Sequence, residues 1–209
     1  YLFNDGSWTL ELMDLKKQTT GTYNKSVGAL AKKFANFGSR IEDIKRGFSY
    51  IQKDSPNVVE IGCGYGREAK EILKLTNRYL GVDISEEMIE MAGDKVPNGN
   101  FVVADIEDYV FPRDLDIIFS FASLLHSSRE ALQVILERAH KALNEGGIFY
   151  ISLKYDKYHS EIQNDEFGTR IYYYYTPENI KELGREFTTV WEDRHEHGGQ
   201  NWFTIILRK

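Results

Sequence analysis

Cysteine is almost missing from this chain. Cys63 stands alone among 209 residues, so no internal disulfide can staple the fold, and a reducing cytoplasmic setting is expected. Proline is scarce, four in all, and no serine-glycine tract, repeat or low-complexity block marks a linker. One domain over residues 1–209 is therefore expected, with residues 1–53 as a cap and 54–209 as its core. No apolar run approaches the roughly 20 residues that a membrane-spanning helix needs, so no membrane partner is expected. No signal-peptide pattern opens the chain, and a first residue Tyr1 rather than Met implies a trimmed or replaced N-terminus. Positive charge is not in excess either: the net charge of -6 works against a nucleic acid partner, which wants a basic surface. The 42% hydrophobic content is enough, at this length, to bury a substantial core.

What is present is organised around Val58-Val59-Glu60-Ile61-Gly62-Cys63-Gly64-Tyr65-Gly66-Arg67. An apolar run that ends on an acid and enters three alternating glycines before a helical pattern reads as a buried strand turning sharply into a helix. Glycine lets the backbone approach a ligand, while the first amides of the helix remain unpaired and point at it. A pyrophosphate site has G-x-G-x-x-G. Here the last two glycines are one residue closer, and Glu60 precedes the first; an acid there repels a pyrophosphate and suits an ammonium. A tight turn needs glycine with or without a ligand, so the stretch alone leaves both readings open.

Downstream, Tyr79-Leu80-Gly81-Val82-Asp83 is a second buried strand ending in an acid, followed by Ser85, Glu86 and Glu87 as a helix start. A carboxylate some 20 residues beyond such a turn suits a ribose diol, whose two hydroxyls it can accept together. Phe101 to Ile106 is a third strand with Asp105 near its tip, Leu115 to Phe121 a fourth, and Ala122 to Ser128 the loop after it. Glu130 to Leu143 reads as a long amphipathic helix stopped by Asn144-Glu145-Gly146-Gly147, with Ile148 to Leu153 as the fifth strand. Phe187 to Glu192 and Trp202 to Leu207 form a terminal hairpin around Gly198-Gly199.

From Val58 to Leu153 this succession resembles the class I S-adenosylmethionine-dependent methyltransferases. The resemblance implies an α/β fold: a Rossmann-like seven-stranded sheet with an antiparallel last strand and an N-terminal helical cap. It implies S-adenosylmethionine as cofactor and S-adenosylhomocysteine as product. Glu60, Gly62 and Gly64 would surround the methionine end, Asp83 the ribose, Asp105 and Ile106 the adenine, and Ser120 and Phe121 the sulfonium, with Cys63, Gly66, Ile84 and Met88 as further cofactor contacts. In that family a tyrosine at the start of the cap can face the cofactor, which Tyr23-Asn24-Lys25 matches in part.

The remaining stretches are read for the acceptor. Residues 1–22 are mixed, with a short helix expected near Thr9 to Leu15. Val27, Leu30, Ala31, Phe34 and Phe37, and then Ile41, Ile44, Phe48 and Ile51, mark two amphipathic helices. Glu68 to Leu75 reads as the helix after the turn, and Thr176-Pro177-Glu178-Asn179 as a capped helix start ending near Gly184. Lys154 to Tyr175 is polar and aromatic, and reads either as a long loop without its own pattern or as an ordinary strand-like stretch with exposed tyrosines. Tyr23, His126 and Arg170 are the catalytic-side candidates: His126 as a base or as a group that shapes its loop, Arg170 with the tyrosines for an anionic or aromatic acceptor. His195 and His197 flank Glu196 at a hairpin end, two ligands without a third, so no metal is assigned. The expected function is methyl transfer from S-adenosylmethionine to a small molecule by a monomer or homodimer. The alternatives are a tRNA methyltransferase using Lys32, Lys33, Arg40, Lys45 and Arg46 as a basic stripe, a silent cofactor-binding module, and a nicotinamide oxidoreductase, which the glycine spacing disfavours.

Overall fold

The computed structural model describes the backbone of residues 7–209 and the side chains of residues 13–209. Five strands run parallel: β1 (Val58–Ile61), β2 (Tyr79–Asp83), β3 (Asn100–Val103), β4 (Leu115–Phe121) and β5 (Leu143–Lys154). A separate hairpin follows, β6 (His159–Asp165) and β7 (Gly168–Tyr174). The terminal hairpin β8 (Thr188–His197) and β9 (Gln200–Arg208) then completes the main sheet, in the order β3-β2-β1-β4-β5-β9-β8. The last strand, β9, is antiparallel to both of its neighbours. The expected seven-stranded mixed sheet is thus present.

Strand pleat divides the core. Val59, Ile61, Ile118, Phe149 and Ile151 face α6 (Arg129–Ala142), whose Leu132, Ile135, Leu136 and Ala139 are buried. Val58, Ile117, Phe119, Ile148 and Tyr150 face α3 (Ile41–Ser49) and α4 (Ala69–Ile72). Such two-sided burial explains why the central strands read as continuous apolar runs. On the second face, Tyr150 donates its hydroxyl to Asp43 Oδ1 at 2.7 Å, and Arg46 lies over the Trp191 ring at 4.1 Å.

Three expectations change. The opening helix α1 runs from Ser7 to Lys25, far beyond Thr9 to Leu15. Its sequence has no apolar stripe to reveal it; instead small polar groups bury their hydroxyls against the hairpin, with Thr19 and Thr22 at 6% and 5% exposure. The helix after the glycine turn is regular only over α4, with turns on either side. The stretch Lys154 to Tyr175 is no loop: β6 and β7 pair over seven residues. Nearly every residue of β6 is exposed while Tyr172 to Tyr175 are buried, so neither strand shows the period-2 alternation that reveals a hairpin. The remaining helices are α2 (Val27–Ala35), α5 (Glu86–Lys95) and α7 (Pro177–Leu183). Among the described residues no helix is long and apolar enough to cross a membrane.

Close approach of α3 to the sheet depends on Gly47, where an added Cβ would sit 2.6 Å from the Phe119 ring. That ring is fully buried and stacked among Phe48, Phe121 and Tyr150, so it has nowhere to move. Gly47→Ala should lower stability by about 1–3 kcal/mol through overpacking, although alanine is the better helix former. A urea titration showing a gain in stability would contradict this packing.

Candidate functional site

A cavity of ≈ 420 Å³ opens at the C-terminal ends of the parallel strands, the position where open α/β sheets bind ligands. Its floor is the turn Ile61 to Tyr65. Gly62 has φ of 66° and a position where a Cβ would lie 2.0 Å from Ser123 Oγ, so no other residue fits there. Asp83 closes the turn from the next strand. Its Oδ2 accepts from the Gly64 amide at 2.8 Å and its Oδ1 from the Ser85 amide at 3.0 Å. Burial raises the Asp83 carboxyl above its ordinary range, and those amides oppose the rise. Ser85 caps α5 through the Met88 amide and donates to Asn24 Oδ1 of α1 at 2.6 Å, tying the cap to the sheet.

At the other wall, Lys16 of α1 bridges Asp105 at 2.5 Å and Glu107 at 2.6 Å. Burial works against its ammonium, but the two carboxylates outweigh it and raise the Lys16 pKa. Asp105 and Ile106 line the cavity with Ala104, and one Asp105 oxygen is already shared with Lys16.

Above the turn, Tyr23, His126, Arg170 and Tyr172 converge. His126 Nδ1 lies 2.5 Å from the Ile171 carbonyl, which can only accept, so Nδ1 carries the proton. The bare Nε2 then accepts from the Tyr23 hydroxyl at 2.9 Å. Burial pushes His126 down to about 4, with the Arg170 and Lys154 charges adding to the effect and the Ile171 carbonyl opposing it; burial also raises the Tyr23 phenol. A neutral His126 whose lone pair is engaged by Tyr23 positions that tyrosine and reaches the cavity's contents through it.

Of the residues singled out in the sequence, Gly62, Cys63, Gly64, Asp83, Ile84, Met88, Asp105, Ile106, Phe121, Tyr23, His126 and Arg170 line one cavity. Glu60, Gly66 and Ser120 do not. Glu60 follows Val58 toward the α4 face, where Tyr79 donates to it at 2.6 Å. Burial, then repulsion from Glu68, holds the Glu60 carboxyl well above the usual carboxylate range. The carboxylate that reaches the cavity beside the turn is Glu68, paired with Arg67 at 2.7 Å. Gly66 is pressed against Val96 and Ala92 of the α5 region, and Ser120 lies inside the sheet at zero exposure.

Lys16, Glu68, Lys154 and Trp202 also line the cavity and were not singled out in the sequence. Lys154 had a usable signal, a charged residue at the C-terminal end of an apolar strand; Lys16 and Glu68, on helical turns, had none. Four of the five residues of the expected basic stripe are engaged within the chain. Arg40 and Arg46 pair with Asp43, Lys45 pairs with Glu42, and Lys33 lies over the Phe167 ring. His195 faces Asp193, and His197 packs edge-on against Phe37.

The depressed His126 pKa has a sign that can be checked. Unfolded histidine protonates near pH 6.5 and His126 near 4, so between these values only the unfolded chain gains the proton, and stability falls as pH drops through that window. The stability advantage of wild type over His126→Gln should shrink between about pH 7 and 4.5 in urea unfolding; a constant gap would contradict the buried neutral imidazole.

Comparison with known proteins agrees with this geometry. The family described as a methyltransferase domain matches residues 58–147. Malonyl-[acyl-carrier protein] O-methyltransferase 1 of Ilyobacter polytropus is 34% identical over 108 residues, 48% of this chain and 40% of that protein. Trans-aconitate 2-methyltransferase of Rhodopseudomonas palustris is 28% identical over 102 residues, 48% of this chain and 39% of that protein. The chain spans less than half the length of each of these two curated relatives. The crystal structure of Burkholderia thailandensis 1,6-didemethyltoxoflavin-N1-methyltransferase with 1,6-didemethyltoxoflavin and S-adenosylhomocysteine shares the fold, with TM-score 0.74 and 18% identity over 100% of this chain and 92% of that one. The stretch around the glycine turn thus matches a methyltransferase domain, and the whole chain shares its fold with an S-adenosylhomocysteine-bound methyltransferase.

Proposed function

We propose that this chain transfers a methyl group from S-adenosylmethionine to a small-molecule acceptor. The observation that carries the reading is the continuity of one cavity from the glycine turn, past Asp83 and Asp105, to the polar and aromatic group around Tyr23, His126 and Arg170. A cofactor site and a place for a second molecule adjoin. Relatives named for small or carrier-bound acids, and a structural neighbour named for a toxoflavin precursor, support a small acceptor.

The residues fit the cofactor. Asp83 keeps lone pairs beyond those used by Gly64 and Ser85, and these would accept from the ribose hydroxyls. Asp105 and the backbone at Ile106 would meet the adenine edge, with Lys16 fixing the carboxylate. The Gly62 to Gly64 backbone and Glu68 would hold the amino-acid end, a role for which Glu60, bonded to Tyr79 away from the cavity lining, is not placed. S-adenosylmethionine supplies an activated methyl on a sulfonium, so the chain's own contribution is proximity, alignment and exclusion of water. Tyr23, held by His126, would orient the acceptor in that enclosed space. The pairing of Arg40, Lys45 and Arg46 with neighbouring acids reduces the free positive charge on which a tRNA partner would draw, which supports the small acceptor.

Calorimetric titration with S-adenosylmethionine and S-adenosylhomocysteine tests the cofactor. Asp83→Ala should weaken binding of either by about 1–3 kcal/mol, the usual loss for a buried hydrogen bond to a charged group. Absence of binding by the wild type would overturn the proposal. Turnover of labelled methyl with a small-molecule extract separates an enzyme from a silent binder.

A further inference from the structure

The cavity's far side carries a charge imbalance. Lys154 ends β5, and its ammonium lies 3.8 Å from the centre of the Tyr172 ring and 5.4 Å from that of Tyr174. Among the described residues, Lys154 Nζ has no carboxylate within 4.0 Å and no hydrogen-bond acceptor, only those aromatic faces. A second cation, Arg170, lies against the same Tyr172 ring at 5.6 Å, and Asp165 alone neutralises it. Glu161, the nearest acid to influence Lys154, is engaged by Tyr174 and Gln163 on the exposed hairpin strand. Among the residues that line this wall, Lys154, Arg170 and Asp165 sum to one positive charge, while Glu161 is exposed and outside the lining.

Unused donors point the same way. Arg170 is 5% exposed, yet its Nε has no partner, and neither does the buried indole Nε1 of Trp202. Trp202 is the direct cross-strand partner of Lys154 in the β5–β9 register, and all three residues line the cavity. Buried donors without acceptors are rare in folded proteins because each lost hydrogen bond is costly. A half-buried ammonium without a carboxylate partner likewise leaves part of its desolvation uncompensated. Burial lowers the Lys154 pKa, Glu161 opposes that, and Arg170 adds to the lowering.

On the proposed methyl-transfer reading of this cavity, we infer that the acceptor is a carboxylate-bearing small molecule, its carboxylate held by Lys154 with the free N–H groups of Arg170 and Trp202. One negative charge balances the site, which a dianionic phosphate would overshoot. The planar carboxylate suits two N–H donors and an ammonium, and the faces of Tyr172 and Tyr23 suit an unsaturated or apolar remainder. Arg170, engaged by Asp165, shapes the site, and the free charge belongs to Lys154.

The test uses the whole protein loaded with S-adenosylhomocysteine, with benzoate, phenylphosphate, benzamide and benzylamine as probes. Binding is read from the amide-type proton signal of the Trp202 indole, assigned by its loss in Trp202→Phe. Benzoate should saturate that signal more tightly than phenylphosphate, and benzamide and benzylamine should leave it in place. Lys154→Met should weaken benzoate roughly ten- to a hundredfold while S-adenosylhomocysteine still binds as in wild type, and Lys154→Arg should restore part of the loss. Retained cofactor-product binding shows that each variant is folded. Equal or tighter binding of the amide or the amine, preference for phenylphosphate, no response to benzoate, or a Lys154→Met variant that binds benzoate as wild type does would each overturn the inference. Failure to load S-adenosylhomocysteine would instead overturn the methyl-transfer reading on which it rests.

Discussion

Two hydrogen bonds from one carboxylate hold the working end of this molecule in shape. Asp83 accepts from Gly64 on the neighbouring turn and from Ser85 at the start of α5, so the ends of β1 and β2 are locked to each other. Charged acceptors bind amides more strongly than neutral ones, and here the acceptor is half-buried, with its remaining lone pairs on the cavity side. The turn is thereby kept open toward the cavity, with Gly62 against Ser123 on its other side. Glu60 and Tyr79 fasten the same turn from below. An acid that in sequence looked like a ligand contact is part of the support instead.

The roof depends on a different kind of contact. Helix α1 grips the β6–β7 hairpin through short hydroxyls: Thr22 donates to the Thr169 carbonyl at 2.8 Å, the Ile171 amide donates to Thr19 at 3.1 Å, and Ser26 donates to the Phe167 carbonyl just past the helix at 2.9 Å. These bonds satisfy the outer edge of β7, which would otherwise present unpaired backbone groups. They also place Tyr23 over His126, and His126 against the Ile171 carbonyl. Cap and hairpin thus enclose the cavity together, and a half-buried neutral histidine is the joint between them.

Much of the sheet was legible because its pattern is local. Apolar runs closed by Asp83 and Asp105, and the Gly198-Gly199 turn, each carry their own signal, and the observed strands fall on them. The hairpin was not, because β6 is almost wholly polar and exposed and β7 is buried on both faces from Arg170 to Tyr174, so alternation is lost. Helix α1 was legible only in part, since its buried face is threonine. Lys16 and Glu68 came into the site by the way α1 and the turn after β1 pack, which no spacing along the chain encodes.

The sequence by itself determined the order of the strands of the main sheet and the helices between them, the glycine turn, and the acids at the strand ends, because backbone conformation and hydrophobic periodicity act over a few neighbouring residues. Only the tertiary structure decided which acid reaches the cavity and which lies beneath it, since strand pleat turned Glu60 toward Tyr79 while the following turn brought Glu68 around. It alone decided, too, that Lys154 from β5, Arg170 from β7 and Trp202 from β9 meet at one wall. Charges far apart along the chain are balanced or left unbalanced by packing, and packing is settled by the whole core at once.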